Sequence, residues 1–383
     1  MNKKILNVFA LGLLLVSAGC GSNNSTNSQP TNSTSKEPVE VKTYWSETYA
    51  NPVPVVNAAG ANYNNEIADP SVVKGDDGYF YCVATNQRFL RSEDGCYWEL
   101  VAEQIIPTPT WGQKFTSESY GLWAPDLIKI GDQWIYYYSL SGWGNPVGIG
   151  YATADNVAGP YTDQGKLFTG DEMGIMNCID PQPFIDDDGS VYMTVGSFQG
   201  LYLIELTDDG TECLNGIEYQ RDNKVLIAGK VGGWDGATYE GGYIIKKDDW
   251  YYYFGSAGTC CQGQNSTYKV YVGRADNVAG PYRGKNNFPL TMSGNGKTYG
   301  ELVLWAGNGE DKDFYGPGHN SVMLDDAGDY WMYYHAYSRA DNFATRHLFM
   351  DKIEWDDDGF PYIETLKPSF EEEKDGPRIE EAK

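Results

Sequence analysis

Histidine is scarce in this chain, three among 383 residues, and positive charge is short as well, with 28 Lys and Arg against 53 Asp and Glu. The first shortage leaves little material for an imidazole metal cage, and neither HExxH nor GxSxG occurs. The second gives a formal net charge of -25. A field of that sign repels phosphate backbones and anionic headgroups alike, which argues against nucleic acid as a partner. No CxxC pair is present, so the usual spacing of a structural zinc site is missing. No GxGxxG follows an early strand, and Gly296-Lys297-Thr298 has Thr291 where a phosphate-binding loop needs its first glycine.

Long apolar runs are lacking too. The run Ile5 to Val16 is short for a bilayer span, and with Lys3 and Lys4 before it and Ser17-Ala18-Gly19 after it, residues 1–20 read as a signal peptide. Cys20 directly after small residues resembles a bacterial lipobox, so a lipid anchor there is the one membrane contact expected. Residues 21–42 are rich in Ser, Asn and Thr with almost nothing to bury, and form a tether. Residues 43–383 are left as one globular domain, expected to be monomeric and held at the cell envelope or secreted. Six further cysteines lie in it: Cys82, Cys96, Cys178, Cys213 and the adjacent Cys260 and Cys261. The adjacent pair allows either a vicinal disulfide or two thiols.

What the chain does have is Gly and aromatics, with 45 Gly and 30 Tyr, and a repeat. A polar residue, a short apolar stretch, a turn rich in Asp and Gly, and an aromatic strand recur five times, beginning at Asp69, Ala124, Asp180, Glu240 and His319. Each copy reads as a β-hairpin. Spacings of 55, 56, 60 and 79 residues leave room for a four-stranded sheet per copy. Ala154-Asp155-Asn156-Val157-Ala158-Gly159-Pro160-Tyr161 also recurs, as Ala275 to Tyr282. The pattern predicts an all-β, five-bladed β-propeller; a β-sandwich has no reason to repeat one hairpin five times.

In a propeller, equivalent positions gather round one axis, so the five repeat heads would bring three carboxylates and a histidine together. Asp69 and Asp180 each precede Pro, and alone either would read as a turn residue. Carboxylates crowded in a partly dry channel repel, their pKa values separate, and one can act as acid while another acts as base.

Six stretches in order carry a family resemblance: Asp69-Pro70-Ser71, Trp123-Ala124-Pro125-Asp126, Asn177-Cys178-Ile179-Asp180-Pro181, Tyr239-Glu240-Gly241, Cys260-Cys261 with Ser266-Thr267-Tyr268, and Gly316-Pro317-Gly318-His319-Asn320-Ser321. The chain resembles family 43 glycoside hydrolases, and among them the arabinan endo-1,5-α-L-arabinanases. The resemblance implies an inverting hydrolase with Asp69 as general base, Glu240 as general acid and Asp180 orienting and tuning Glu240. It implies that His319 contacts a central calcium ion or its water shell, with no organic cofactor. Ala68 stands where a His often precedes the base, and Gly242 where a Pro often follows the acid.

Trp123, Trp143 and Phe198 are read as platforms for sugar rings, and Asp126, Asn177 and Ser197 as partners for sugar hydroxyls. His335 and His347 are read as structural or rim positions. The expected partner is a polysaccharide, arabinan or a related pectic side chain, cut internally. The enzymatic alternative is an exo-acting α-L-arabinofuranosidase or β-xylosidase; the alternative of another class is a glycan-binding lipoprotein without catalysis.

Overall fold

The computed structural model describes residues 4–6, 42–308, 312–370 and 373–381. The leader (Lys4–Leu6 apart), Cys20 and the tether up to residue 41 lie outside the described residues. Five antiparallel sheets follow one another along the chain. Blade 1 holds Ser71–Lys74, Phe80–Ala84, Arg88–Ser92 and Trp98–Ala102, and blade 2 holds Gly121–Ile130, Gln133–Gly142, Asn145–Ala154 and Thr162–Thr169. Blade 3 holds Gln182–Ile185, Val191–Val195, Leu201–Leu206 and Val225–Ala228. Blade 4 holds Glu240–Lys247, Trp250–Ala257, Lys269–Ala275 and Glu301–Trp305, and blade 5 holds Phe314–Leu324, Tyr330–Ser338, Arg346–Trp355 and Pro361–Ile363. The predicted five-bladed propeller is the observed fold.

Its cores lie between the blades. A strand alternates its side chains across the sheet, so a blade covered on both faces needs apolar residues at every position. The run Trp134-Ile135-Tyr136-Tyr137-Tyr138 is buried throughout for this reason. Trp134, Tyr136 and Tyr138 pack with Tyr81, Val83 and Phe89 of blade 1, whereas Ile135 and Tyr137 pack with Val191 and Met193 of blade 3. The same division recurs between blades 3 and 4, 4 and 5, and 5 and 1. Each fully buried side chain of this size stabilises by about 1.5 to 3 kcal/mol, so the interblade seams hold the ring together.

The ring is closed by the two ends of the domain. Tyr44–Ser46 pairs with Ile379–Glu380, Thr48–Tyr49 with Lys374–Asp375, and Val55–Val56 joins the outer strand of blade 1 in parallel. Asn51 exchanges hydrogen bonds with the Met350 backbone of blade 5, at 2.7 and 2.9 Å. The repeated octapeptide forms one turn used twice, in blades 2 and 4. Tyr161 and Tyr282 each donate to a carbonyl four residues back, Val157 and Val278, and Asn156 and Asn277 each accept from an N–H two residues on.

Candidate active site

Each blade enters the axis through one residue with left-handed backbone: Asp69 (φ 57°), Ala124 (34°), Asp180 (62°), Gly241 (57°) and His319 (50°). For the four that are not glycine, this conformation costs about 1 to 3 kcal/mol, and the surrounding contacts sustain it. The fourth pivot is Gly241, not Glu240. The repeat phase expected for blade 4 is therefore off by one, and Glu240 approaches the axis from the position before its pivot. Glycine is required at both following positions: a Cβ on Gly241 would lie 2.9 Å from His319 Cγ, and one on Gly242 2.7 Å from the Tyr253 hydroxyl. That explains the absence of a proline at 242.

A second regularity holds the pivots. Near the end of each blade's second strand stands a polar residue: Thr85, Ser139, Ser197, Ser256 and His335. Thr85 Oγ1 accepts the Ala124 N–H (2.8 Å), Ser139 Oγ the Asp180 N–H (2.9 Å), Ser256 Oγ the His319 N–H (2.8 Å) and His335 Nδ1 the Asp69 N–H (3.1 Å). Ser197 breaks the series. It donates to Glu240 Oε2 at 2.8 Å, and the Gly241 N–H is taken instead by Asp180 Oδ2 at 3.0 Å. The blade 4 entrance thus couples the two carboxylates through adjacent residues.

The electrostatics separate the acids. Burial alone would raise the Asp69 pKa, but the charges of His319 and Arg346 outweigh it and hold Asp69 well below the usual carboxylate range. Asp69 Oδ1 lies 3.3 Å from His319 Nδ1 and 3.6 Å from Arg346 Nη1, and Thr85 donates to Oδ2 at 2.5 Å. His335 Nδ1 is also 3.3 Å from Oδ1, yet burial pushes its pKa down to about 4. It is therefore neutral, and its Nδ1 lone pair is committed to the Asp69 N–H. Glu240 moves the other way: burial raises it, against the opposing effect of Tyr268, which donates to Oε1 at 2.5 Å. Burial also raises Asp180, to about 7, with the Glu240 and Asp69 charges adding to the shift.

This geometry predicts a pH effect away from the carboxylates themselves. Tyr268 stabilises the ionised form of Glu240, so Tyr268→Phe raises the Glu240 pKa further. An acid that must be protonated stays active to higher pH when its pKa rises, so the alkaline limb of the kcat/KM profile moves up. A limb that stayed in place or moved down would mean that Glu240 is not the titrating acid.

Asp69, Asp180, Glu240 and His319 face one groove of about 710 Å³. Trp123 and Trp143 flank it from blade 2 as an edge-on pair with ring centroids 5.2 Å apart, and Trp143 is 78% exposed. Phe198, after the second strand of blade 3, and Trp234 form a second pair lining the groove, 4.1 Å apart. Asn177 lines the groove, with its amide donating to the Ser197 carbonyl at 3.2 Å. Ser197 borders the groove but is fully buried, its hydroxyl committed to Glu240, so it positions that carboxylate and is not free for a sugar. Asp126 does not reach the groove. It is the third residue of the blade 2 entrance and points into the small axial space, where its Oδ1 accepts from Ser71 (2.7 Å) and the Leu127 N–H (2.7 Å).

Sequence reasoning missed Arg346, Glu66 and Trp234, and gave His335 only a structural or rim place. Arg346 Nε pairs with Glu66 Oε1 at 2.7 Å and brings its charge to Asp69. His347 lies apart from the carboxylates, 2.9 Å from Asp341. All six cysteines of the domain are unpaired, so Cys260 and Cys261 are two thiols here.

Known proteins share this arrangement of blades. The family model described as glycosyl hydrolases family 43 matches residues 63–361. The extracellular exo-alpha-(1->5)-L-arabinofuranosidase of Cellvibrio japonicus is 31% identical, over 78% of this chain and 86% of the relative. The extracellular endo-alpha-(1->5)-L-arabinanase 1 of Bacillus subtilis is 28% identical, over 76% and 86%. Among solved structures, the alpha-L-arabinanase of Cellvibrio cellulosa complexed with arabinohexaose superposes with a TM-score of 0.67 and 30% identity, over 78% of this chain and 95% of that one. With a family model spanning most of the propeller and relatives aligned over three quarters of the sequence, this chain belongs to the family 43 glycoside hydrolases.

Proposed function

We propose that the protein hydrolyses α-1,5-L-arabinofuranosidic bonds in arabinan with inversion, cutting within the chain. One observation carries the chemistry: in a single groove Asp69 is held well below the usual carboxylate range while burial shifts Glu240 the other way, toward its protonated form. Asp69 activates a water by taking its proton, and Glu240 gives its proton to the departing glycosidic oxygen. Asp180, accepting the Gly241 N–H beside Glu240, keeps the acid oriented, while burial and the Asp69 charge raise the acid's pKa. His319 and Arg346 hold the Asp69 charge without taking part in the transfer.

The substrate assignment draws on the relatives, which act on α-(1->5)-linked arabinose, and on the two aromatic pairs, which offer apolar faces to furanose rings. A groove of this volume lined by two aromatic pairs suits several sugar units of a chain. The similarity to an exo-acting relative favours a second reading, release of arabinose units from chain ends. Sizing of early products from linear α-1,5-arabinan separates the two. Mixed oligosaccharides from the first minutes are expected; arabinose or one short product alone would establish exo action, and binding without products would leave a glycan-binding protein.

The relatives named as extracellular support export of this chain, and the small residues before Cys20 support a lipid anchor there. For the central ion, the axial space is small but walled by polar groups that suit a cation. Asn320 keeps both polar atoms of its amide buried without a protein partner and lines that space beside His319 and Asp126. Among the described residues no three His, Cys, Asp or Glu form a cage, so calcium would be held mainly through water. Bound there, it would supply positive charge beneath His319.

A further inference from the structure

Cys260 and Cys261 sit in the wall of the groove that holds the three carboxylates, half-buried, while the other four cysteines of the domain are buried in the interblade seams or beneath the closing strap. Two adjacent thiols in a substrate groove serve no packing need that smaller apolar residues would not meet. The loop carrying them is fixed at both ends. The Thr267 N–H donates to the Thr259 carbonyl (3.0 Å), the Gln262 N–H to Ser266 Oγ (3.0 Å), and Cys261 adopts left-handed backbone at φ 64°. The two thiols are hydrogen-bonded to one another, and Cys261 lies within the field of the Arg346 guanidinium. The same loop runs directly into Tyr268, the partner of Glu240.

We infer that Cys260 and Cys261 form a thiol–disulfide modification site in the groove, oxidised by small-molecule or protein disulfides, and that closing the bond tightens substrate binding. Cys261, as its thiolate, attacks one sulfur of the oxidant, releasing one thiolate and forming a mixed disulfide. Cys260 then loses its proton and attacks the Cys261 sulfur, expelling the second thiolate. The protein gives up two electrons and two protons, and the oxidant leaves as two thiols. The product replaces two rotatable S–H groups with one rigid apolar wall against which a sugar face can pack, so the benefit falls on binding and not on the proton transfers. That last step rests on the proposed reading of the groove; the oxidation does not.

The test treats the folded, purified domain with oxidised glutathione and maps the cysteine peptides by mass before measuring kinetics on linear arabinan. Expected are loss of two hydrogens confined to the peptide holding Cys260 and Cys261, reversal by dithiothreitol, and a KM lower by about threefold or more in the oxidised form with kcat little changed. In Cys261→Ser the oxidant no longer shifts KM. Two titratable thiols persisting after treatment, or stable glutathionylation without closure, would overturn the site. A closed bond with KM unchanged would overturn its effect on the groove. The mass result stands whether or not arabinan is the substrate, so a failed functional reading and a failed redox site give different outcomes.

Discussion

Glu240→Gln is expected to lower turnover on arabinan by about a hundredfold or more, the usual scale for losing a general acid. The amide keeps the shape, and of the two hydroxyls that now donate to the carboxylate oxygens, Tyr268 and Ser197, one can still donate to its oxygen while the other can turn to accept from its NH2. What disappears is the proton for the leaving oxygen. The loss should therefore depend on the leaving group: large for a sugar alcohol, much smaller for a nitrophenolate from an aryl arabinofuranoside, which departs without protonation. Comparing kcat on the two substrates checks this. Equal losses on both would point to a folding or binding defect, and near wild-type turnover on arabinan would remove Glu240 from the role.

Asp69→Asn carries the other large effect, a fall of about a hundred- to ten-thousandfold in kcat, because, the acid Glu240 apart, the other carboxylates facing the groove are engaged elsewhere, Glu66 with Arg346 and Asp180 with the Gly241 N–H. The pH profile gives a separate readout. With His319 and Arg346 beside it, Asp69 stays ionised well below the normal carboxylate range, so the wild-type acid limb should lie at unusually low pH. In the variant that limb should vanish with the base. The charge removed also matters to its neighbours. His319, whose pKa is lowered by burial but raised above its ordinary value by Asp69, Asp180 and Glu240, should lose part of that rise. Titration of the His319 ring by NMR would report the change; an unaltered His319 together with an unaltered acid limb would contradict the pairing.

Much of the fold could be read from sequence because a propeller writes the same hairpin five times, and the unbroken aromatic runs follow from blades covered on both faces. Four of the five pivots coincide with the repeat heads read from sequence, and at three of them, Asp69, Ala124 and Asp180, a following proline fixes the phase. Blade 4 has Glu240-Gly241-Gly242 instead, and a hydrophobic hairpin tolerates a shift of one residue, so only the backbone conformation locates the pivot at Gly241. The polar residue closing each second strand, Thr85, Ser139, Ser197, Ser256 and His335, was visible at a nearly constant distance from its head, and would have assigned Ser197 and His335 to positioning roles. Arg346 and Glu66 had no such signal. They come from the third strand of blade 5 and the loop before Asp69, and only ring closure brings them to the base. Asp126 was misplaced toward the groove because adjacency to Trp123 says nothing of depth along the axis: the strand carries Trp123 to the rim and Asp126 inward.

The central claim is that Asp69 acts on water and never on the sugar. Proton NMR of the reducing end released in the first turnovers, before mutarotation, tests it most directly. An acid and base pair predicts the β-anomer of arabinofuranose from an α-linked chain, with the α-anomer appearing only as mutarotation proceeds. Initial appearance of the α-anomer would mean a covalent intermediate on a carboxylate, and would contradict the roles given to Asp69 and Glu240.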